Sequence, residues 1–192
     1  NKLPYRTNRW VIKKDKISKL QADMPGLTLA ILNQSRITPQ YVEWLNDYEV
    51  VRYTEQRFIS HDMREVRSFV ANKFESFDEY LFGIFQNDLH IGNIKIGPIN
   101  CYHKQGDISY IIGSKKAWGR GIASSVVRRI SEFGFGELRL ERITAGCYAL
   151  NQASAKVLEK CGYTRVARVE KSAIFEGKRI DTLLYAKLSD SN

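Results

Sequence analysis

The residues best placed to do chemistry lie between Ile111 and Tyr163. An apolar run, Ile108 to Ile112, leads into Gly113-Ser114-Lys115-Lys116-Ala117-Trp118-Gly119-Arg120-Gly121, and a helical pattern follows from Ile122 and Ala123. A helix start leaves backbone N–H groups without partners and carries partial positive charge. Glycines at 119 and 121 let that backbone approach an anion with no Cβ in the way. Lys115, Lys116 and Arg120 add positive charge. The segment reads as an anion cradle. It is not a Rossmann fingerprint, because Ser124 stands where the third glycine belongs, and it lacks the Gly-Lys-Ser/Thr of a P-loop. A G-x-G by itself establishes only a tight turn, so its context decides what the anion is.

The elements that must position these residues are legible from periodicity and punctuation. Leu27 to Leu32 reads as a buried first strand. Thr38-Pro39 starts a helix, with Thr as cap and Pro at the first helical position, and Tyr41, Trp44 and Leu45 on one face. Residues 46–58 read as a loop rich in Tyr and charge. Ser60 is expected to cap a second helix carrying Val66, Phe69, Val70 and Phe74 at helical spacing. Strands follow at Tyr80 to Phe85 and His90 to Ile96, with Asp88 in the turn between them and Gly97-Pro98 closing the second. Ile108 to Ile112 is a short apolar strand, and its helix runs from Gly121 to about Phe135. Arg142 to Ala149 is a further strand, and Asn151 to Lys160 a helix that Gly162 stops. Arg165 to Phe175 and Arg179 to Leu188 form the final pair around Glu176-Gly177-Lys178. Residues 1–26 read as a basic extension ending in Met24-Pro25-Gly26, with Arg9 to Ile12 as a short strand of its own, and residues 27–192 as a single domain.

Lys116-Ala117-Trp118-Gly119-Arg120-Gly121 is similar to the Q/R-x-x-G-x-G/A signature of the GNAT acetyltransferase superfamily, with Lys in place of the usual Gln or Arg. A second hallmark follows in order. Asn151-Gln152-Ala153-Ser154, then Glu159-Lys160-Cys161-Gly162-Tyr163, resembles the family's N-x-x-S…E-K-x-G-F segment. The resemblance extends over about residues 27–188, to the branch that includes ribosomal-protein Nα-acetyltransferases and bacterial amino-sugar acetyltransferases. It implies a mixed α/β (α+β) fold: a strongly twisted sheet with helices on both faces, in which strands 108–112 and 142–149 splay apart. It also implies acetyl-coenzyme A as acetyl donor. The pantetheine arm would pair with backbone around Ile111, Ile112 and Gly113, and the pyrophosphate would lie on the N–H groups of Trp118, Gly119, Arg120, Gly121, Ile122 and Ala123 beside Lys116. Asn151 and Ser154 would line the pantetheine. Asn151 also suits a plain helix N-cap, and the two roles are compatible.

The chemistry implied needs no metal, because a thioester is already activated. A neutral amine attacks the acetyl carbonyl, an N–H near Ile112 steadies the oxyanion, a base takes the amine's proton and an acid returns one to the thiolate. Many relatives place a Tyr acid where this chain has Leu158, so Ser154 or an ordered water is the expected substitute; Ser154 suits a purely helix-stabilising role equally well. Asp107, just before the 108–112 strand, is the first candidate for the base. His103, in the preceding loop, is the second, since an unshifted imidazole titrates in a useful range. His61 and Glu55 fall in the segment that walls the acceptor pocket in relatives.

Ile91 to Asn100, and Trp44-Leu45-Asn46-Asp47 with Val51-Arg52-Tyr53, resemble a subgroup found in bacterial surface-glycan pathways. That resemblance implies an amino-sugar nucleotide as acceptor. Tyr48, Tyr53, Tyr102 and Tyr110 are candidates to stack on its base or sugar, and Arg52 and Arg57 to meet its phosphates. A protein N-terminus is the alternative acceptor, and acetyl-coenzyme A binding without turnover the alternative to an enzyme.

The 192 residues suit one domain with a substantial core. No apolar run approaches the roughly 20 residues that cross a bilayer, and no secretory leader is visible, so the expected location is cytoplasmic and no membrane insertion is expected. Cys101, Cys147 and Cys161 offer neither a disulfide framework nor a metal pattern and read as buried thiols. The formal charge is +9, of which residues 1–20 carry +6. That excess reads as a solvated arm rather than a nucleic-acid surface, since no zinc-finger or RNA-binding signature accompanies it. A monomer or homodimer is expected.

Overall fold

The computed structural model describes residues 12–190. The strands are β1 (Leu20–Gln21), β2 (Leu27–Ile31), β3 (Tyr80–Gln86), β4 (Leu89–Ile96), β5 (Gln105–Ile112), β6 (Arg142–Tyr148), β7 (Thr164–Phe175) and β8 (Lys178–Leu188). The helices are α1 (Pro39–Asn46), α2 (Tyr48–Val51), α3 (Met63–Glu75), α4 (Ile122–Gly136) and α5 (Gln152–Lys160). One sheet runs in the order β1-β2-β3-β4-β5-β6-β8-β7. Every neighbouring pair in it is antiparallel except β5 and β6, which are parallel. A parallel pair needs a crossover, and α4 supplies it.

The side-chain periods explain the layers. On one face, Phe82, Ile84, Ile94, Ile96 and Ile143 from the strands meet Val126, Val127, Ile130 and Phe133, which recur at helical spacing on α4, together with Leu158 of α5. On the other face, Tyr41, Trp44 and Leu45 of α1 and Val66 and Val70 of α3 pack on Leu32, Leu81 and Ile111. The sheet therefore carries helices on both faces, as the fold class implied.

The ladder between β5 and β6 decides where the molecule opens. Gln105 to Ile108 pair with Arg142 to Ala145, and the pairing stops there. Beyond that point β5 remains paired with β4 as far as Gly92↔Ile112, and β6 with β8 as far as Tyr148↔Thr182. The two strands part after Ile108 and Ala145.

Several local expectations are corrected. Asp62, not Ser60, caps α3; its side chain accepts from Glu65 N at 2.8 Å while Glu65 returns the bond to Asp62 N, a reciprocal box that Ser60 lies too far upstream to make. Thr38 precedes α1 but makes no side-chain cap, because its hydroxyl lies 3.0 Å from His90 Nδ1. The 46–58 loop contains α2 and a 3-10 turn at Glu55–Phe58, each opened by a capping side chain, Asp47 and Thr54. β5 starts at Gln105, where a bridge from Asn100 to Gln105 closes the turn before it. Phe69 is 41% exposed because it borders a cleft rather than the core. Cys101 is exposed in the turn before β5, whereas Cys147 and Cys161 are buried.

The strand expected over Arg9 to Ile12 lies outside the described residues except for Ile12. Residues 12–26 are not a solvated arm. Leu20 and Ala22 are buried in the core, and β1 pairs with β2. Lys14 is buried, its ammonium donating to the carbonyls of Lys73, Phe74 and Ser76 at the end of α3. Burial lowers its pKa to about 8, against the pull of Glu79 and Asp78.

Candidate active site

The anion cradle has the backbone its glycines predict. Gly119 and Gly121 have φ of +71° and +79°, and Gly121 is the N-cap of α4. A Cβ built on either would meet no atom within 4 Å, so the space in front of the turn is open. The first intrahelical bond runs from Ser125 N to Gly121 O, and the N–H groups before it have no acceptor within the helix. Trp118 N is the exception among the expected contacts, since it donates to Lys115 O in the preceding 3-10 turn at 3.1 Å. Arg120 and Lys116 are exposed beside the cradle. Lys115 is not available to an anion in the same way. Its ammonium lies 2.7 Å from Asp47 and 2.6 Å from Glu49, which ties α2 to the cradle.

The free edge of β5 faces this cradle. Asp107 O accepts from Gly97 N on the β4 side. Alternation along a strand then turns the backbone groups of Ser109 and Ile111 toward β4 and those of Tyr110 and Ile112 toward the gap. Trp118 bridges the gap's upper end, its indole Nε1–H donating to Ile112 O at 2.7 Å. Gly113 lies against Trp44; a Cβ there would fall 2.0 Å from the indole. The Ile111 side chain packs with the α1–α3 cluster.

Across the gap, α5 presents Asn151 and Ser154. Asn151 is the N-cap, its Oδ1 accepting from Ser154 N at 3.1 Å. Ser154 Oγ lies 2.9 Å from Tyr110 Oη, so two hydroxyls join β5 to α5. Burial pushes the Tyr110 phenol up to about 12, opposed by the Ser154 bond, so it stays protonated at neutral pH. Leu158 is 1% exposed, a core residue whose side chain has no proton to give. Tyr110 was legible as an aromatic near the site but not as a partner of Ser154, because that contact spans 44 residues.

The expected bases part company. Asp107 sits one residue before the ladder ends, accepting from Thr144 Oγ1 at 2.8 Å. Burial raises its pKa above the usual carboxylate range, with the Thr144 bond and the charge of Lys95 pulling the other way. His103 is exposed in the turn before β5, its N–H on Asn100 Oδ1 at 3.1 Å. The 8 residues of β5, at about 3.3 Å each, put that turn about 25 Å from Ile112. Glu55 accepts from Tyr148 Oη at the end of β6.

A cleft of about 530 Å³ opens on the α1–α3 face. Its floor is Asn93, Lys95 and Ser109 to Ile111 of β4 and β5, and its walls include Leu45, Gln56, His61, Val66 and Phe69. Asn93 was not singled out by the sequence, since an Asn within an apolar strand reads as a packing residue. Tyr48 and Tyr53, expected to stack on a ligand, meet protein: Tyr48 donates to Glu176 at 3.1 Å, and Tyr53 stacks on Phe175 at 5.4 Å. Arg57 donates to Ile174 O, Thr54 O and Tyr148 Oη, which leaves its guanidinium engaged.

The GNAT acetyltransferase domain model matches residues 27–164. The chain belongs to the GNAT acetyltransferase family. Among sequence relatives, a probable N-acetyltransferase, YjcK of Bacillus subtilis (strain 168), is 28% identical over 138 residues, 70% of this chain and 75% of its own length. Among solved structures, RimL, a ribosomal L7/L12 alpha-N-protein acetyltransferase in complex with coenzyme A, superposes with a TM-score of 0.80 at 17% identity, covering 91% of this chain and 100% of that one. Spermidine N-acetyltransferase from Vibrio cholerae, in complex with CoA and spermine, gives a TM-score of 0.77 at 19% identity over 86% of this chain and 96% of that one. Membership makes this GNAT protein an acetyl-coenzyme A-dependent acyltransferase. The open cradle and the free β5 edge fit that donor, whose thioester supplies an acetyl group already activated for transfer. Among the described residues no helix is long and apolar enough to cross a membrane.

Proposed function

We propose that this enzyme N-acetylates the primary amine of a small molecule seated in the 530 Å³ cleft. The observation that carries the reading is the shared strand. Residues 109–111 of β5 form the cleft floor, while the opposite edge of the same strand faces the gap beside the cradle. An amine in the cleft and an acetyl group in the gap therefore meet across one strand, and holding both there removes the entropy of their encounter.

The residues take the following parts. The Ile112 N–H on the free edge stabilises the oxyanion. Ser154 gives its proton to the departing sulfur, and Tyr110, 2.9 Å away, donates to Ser154 Oγ as that charge develops. Asp107 accepts the amine's proton through water, its raised pKa making it a better base than a solvated carboxylate. Asn151 and the α4 N-terminus hold the pantetheine and pyrophosphate. His103 has no part at that distance.

The finer reading of the acceptor is an amino-sugar nucleotide, resting on the resemblance of residues 44–53 and 91–100. The cleft supports it for the sugar ring. Arg52, exposed beside the Tyr53 ring at 4.7 Å and two residues before the cleft-lining Thr54, would meet the nucleotide's phosphates. Thiol release from acetyl-coenzyme A, measured with amino-sugar nucleotides, free amino sugars, spermidine and N-terminal peptides, tests the reading. Release with the sugars and not with peptides is the expected result. Release with peptides alone would replace it with a protein Nα-acetyltransferase.

A further inference from the structure

Two buried nitrogens in the cleft have no hydrogen-bond partner: Asn93 Nδ2 and His61 Nε2. Both residues line the same cavity. A buried polar atom without a partner costs free energy in the folded state, and such atoms are few in folded proteins. The cost is offset if a ligand supplies the partner.

Asn93 is held in a fixed attitude. Its Oδ1, which only accepts, lies 3.0 Å from His90 Nε2, so His90 carries its proton there. His90 Nδ1 is then a lone pair, and the Thr38 hydroxyl donates to it at 3.0 Å. Burial lowers the His90 pKa, with the Asn93 bond opposing, which keeps the imidazole neutral and this order of bonds intact. The ring is also clamped, stacked on Phe85 at 5.1 Å and edge-on to Trp44 at 5.1 Å. The chain Thr38–His90–Asn93 thus commits the Asn93 amide to presenting N–H donors away from His90. His61 is pinned through its backbone, with Asn46 Oδ1 and Nδ2 bonding its N–H at 2.9 Å and its carbonyl at 2.8 Å.

Of the other charged groups in the cleft, Lys95 is paired, 2.5 Å from Glu79, and Glu65 is engaged at one oxygen, which accepts from Asp62 N. A polyphosphate would find no free cation among the lining residues, since Lys95 is paired, and the cleft's one unpaired charge is the exposed Glu65. Thr54, Gln56 and Ser109 add neutral polar groups, and Leu45, Val66, Phe69 and Ile111 make the apolar part of the lining.

We propose that Asn93 and His61 are the specificity-determining residues of the cleft, and that together they hold a neutral oxygen, hydroxyl or carbonyl, on the carbon next to the acceptor's amine. The inference rests on the cleft being the acceptor site. The substrate class is an amino alcohol or amino carbonyl compound with an apolar body, such as an amino-sugar ring or an amino-acid amide. Polyamines, which lack that oxygen, are excluded.

Matched amines test this through thiol release from acetyl-coenzyme A. Leucinamide and 3-methylbutylamine differ only by the carboxamide, and glucosamine and cyclohexylamine by the ring oxygen, the hydroxyls and the hydroxymethyl group. The oxygen-bearing member of at least one pair is expected to show at least about tenfold higher kcat/KM, because the analogue leaves buried polar atoms unpaired. Which pair discriminates tells amino carbonyl from amino sugar. Asn93→Leu should abolish the preference and, because it also leaves the buried His90 Nε2–H without its acceptor, lower the melting temperature. If Asn93→Leu does not fold, His61→Phe reads the same loss. Equal use of both members of both pairs, or a preference that survives these substitutions, overturns the inference and leaves the acetyltransferase reading standing. No thiol release with any amine overturns both.

Discussion

One oxygen atom separates the parts played by Ser154 and Tyr110. Ser154→Ala removes the proposed donor to the sulfur and is expected to lower kcat by about 10²-fold, the lower end for general acid catalysis, with KM for acetyl-coenzyme A little changed. Tyr110→Phe keeps the buried ring and removes only the hydroxyl 2.9 Å from Ser154, so it should lower kcat by less and leave thermal stability close to the parent's. Steady-state kinetics on the two variants checks this, and full turnover in Ser154→Ala would remove it from the acid role. Asp107 makes a separate prediction about pH. Burial raises its pKa above the 3.8 of an ordinary aspartate, so between those two values the folded state binds more protons than the unfolded one. Stability from this group is then present at low pH and lost as pH rises through the folded-state pKa. Asp107→Asn should therefore melt no lower than the parent at about pH 7 and lose the fall in stability between about pH 4 and that point. In kcat/KM the same variant should lose the acid limb, which melting curves and pH–rate profiles together would show.

At the scale of elements, two glycines near the cradle do different work, and substituting each tells them apart. Gly113 is required by packing, because an added methyl would enter the Trp44 indole. Gly113→Ala is expected to destabilise by about 1–3 kcal/mol through overpacking and to shift the tryptophan fluorescence. Gly119 has open space but a left-handed backbone. Gly119→Ala should cost about 1–2 kcal/mol in strain and, with its methyl in the cradle, raise KM for acetyl-coenzyme A. Denaturant unfolding and donor titration measure the pair. The Gly119 requirement is legible in the sequence, since strand, glycines and helix adjoin in the chain. The Gly113–Trp44 contact is not, because it joins residues that only the fold brings together. The same distinction holds across the site. Gly119, Gly121, Asn151 and the α4 face declare themselves locally, through punctuation and a period of 3.6. Tyr110–Ser154, Asn93–His90–Thr38 and Lys14 on the end of α3 depend on register between distant elements. The α3 cap is ambiguous in the sequence for a smaller reason: Ser60 and Asp62 are both good caps, and only the reciprocal bond from Glu65 chooses between them.

At the scale of the whole molecule, the break after Ile108 and Ala145 divides the sheet into β1 to β5 on one side and β6, β8 and β7 on the other. Four residue pairs, Gln105↔Arg142 to Ile108↔Ala145, join the two parts, with α4 and α5 packed across them. A parallel ladder that short is a weak seam, and regions with few bonds across them open at lower free energy than the rest of a domain. The pantetheine that we propose along the free edge would extend that seam at Tyr110, beside the Ile112 N–H proposed for the oxyanion, where the protein's own strands have separated. Native-state hydrogen exchange should therefore show the Tyr110 and Ile112 amides among the fast exchangers of the sheet without acetyl-coenzyme A, and slowed with it, while the β3–β4 amides change little. Uniform slowing across both parts would mean that the seam is no weaker than its surroundings. Under that proposed binding the parted strands would make the donor a mechanical member of the fold, a stitch between two leaves on a short spine, set at the start of each turnover and drawn at its end.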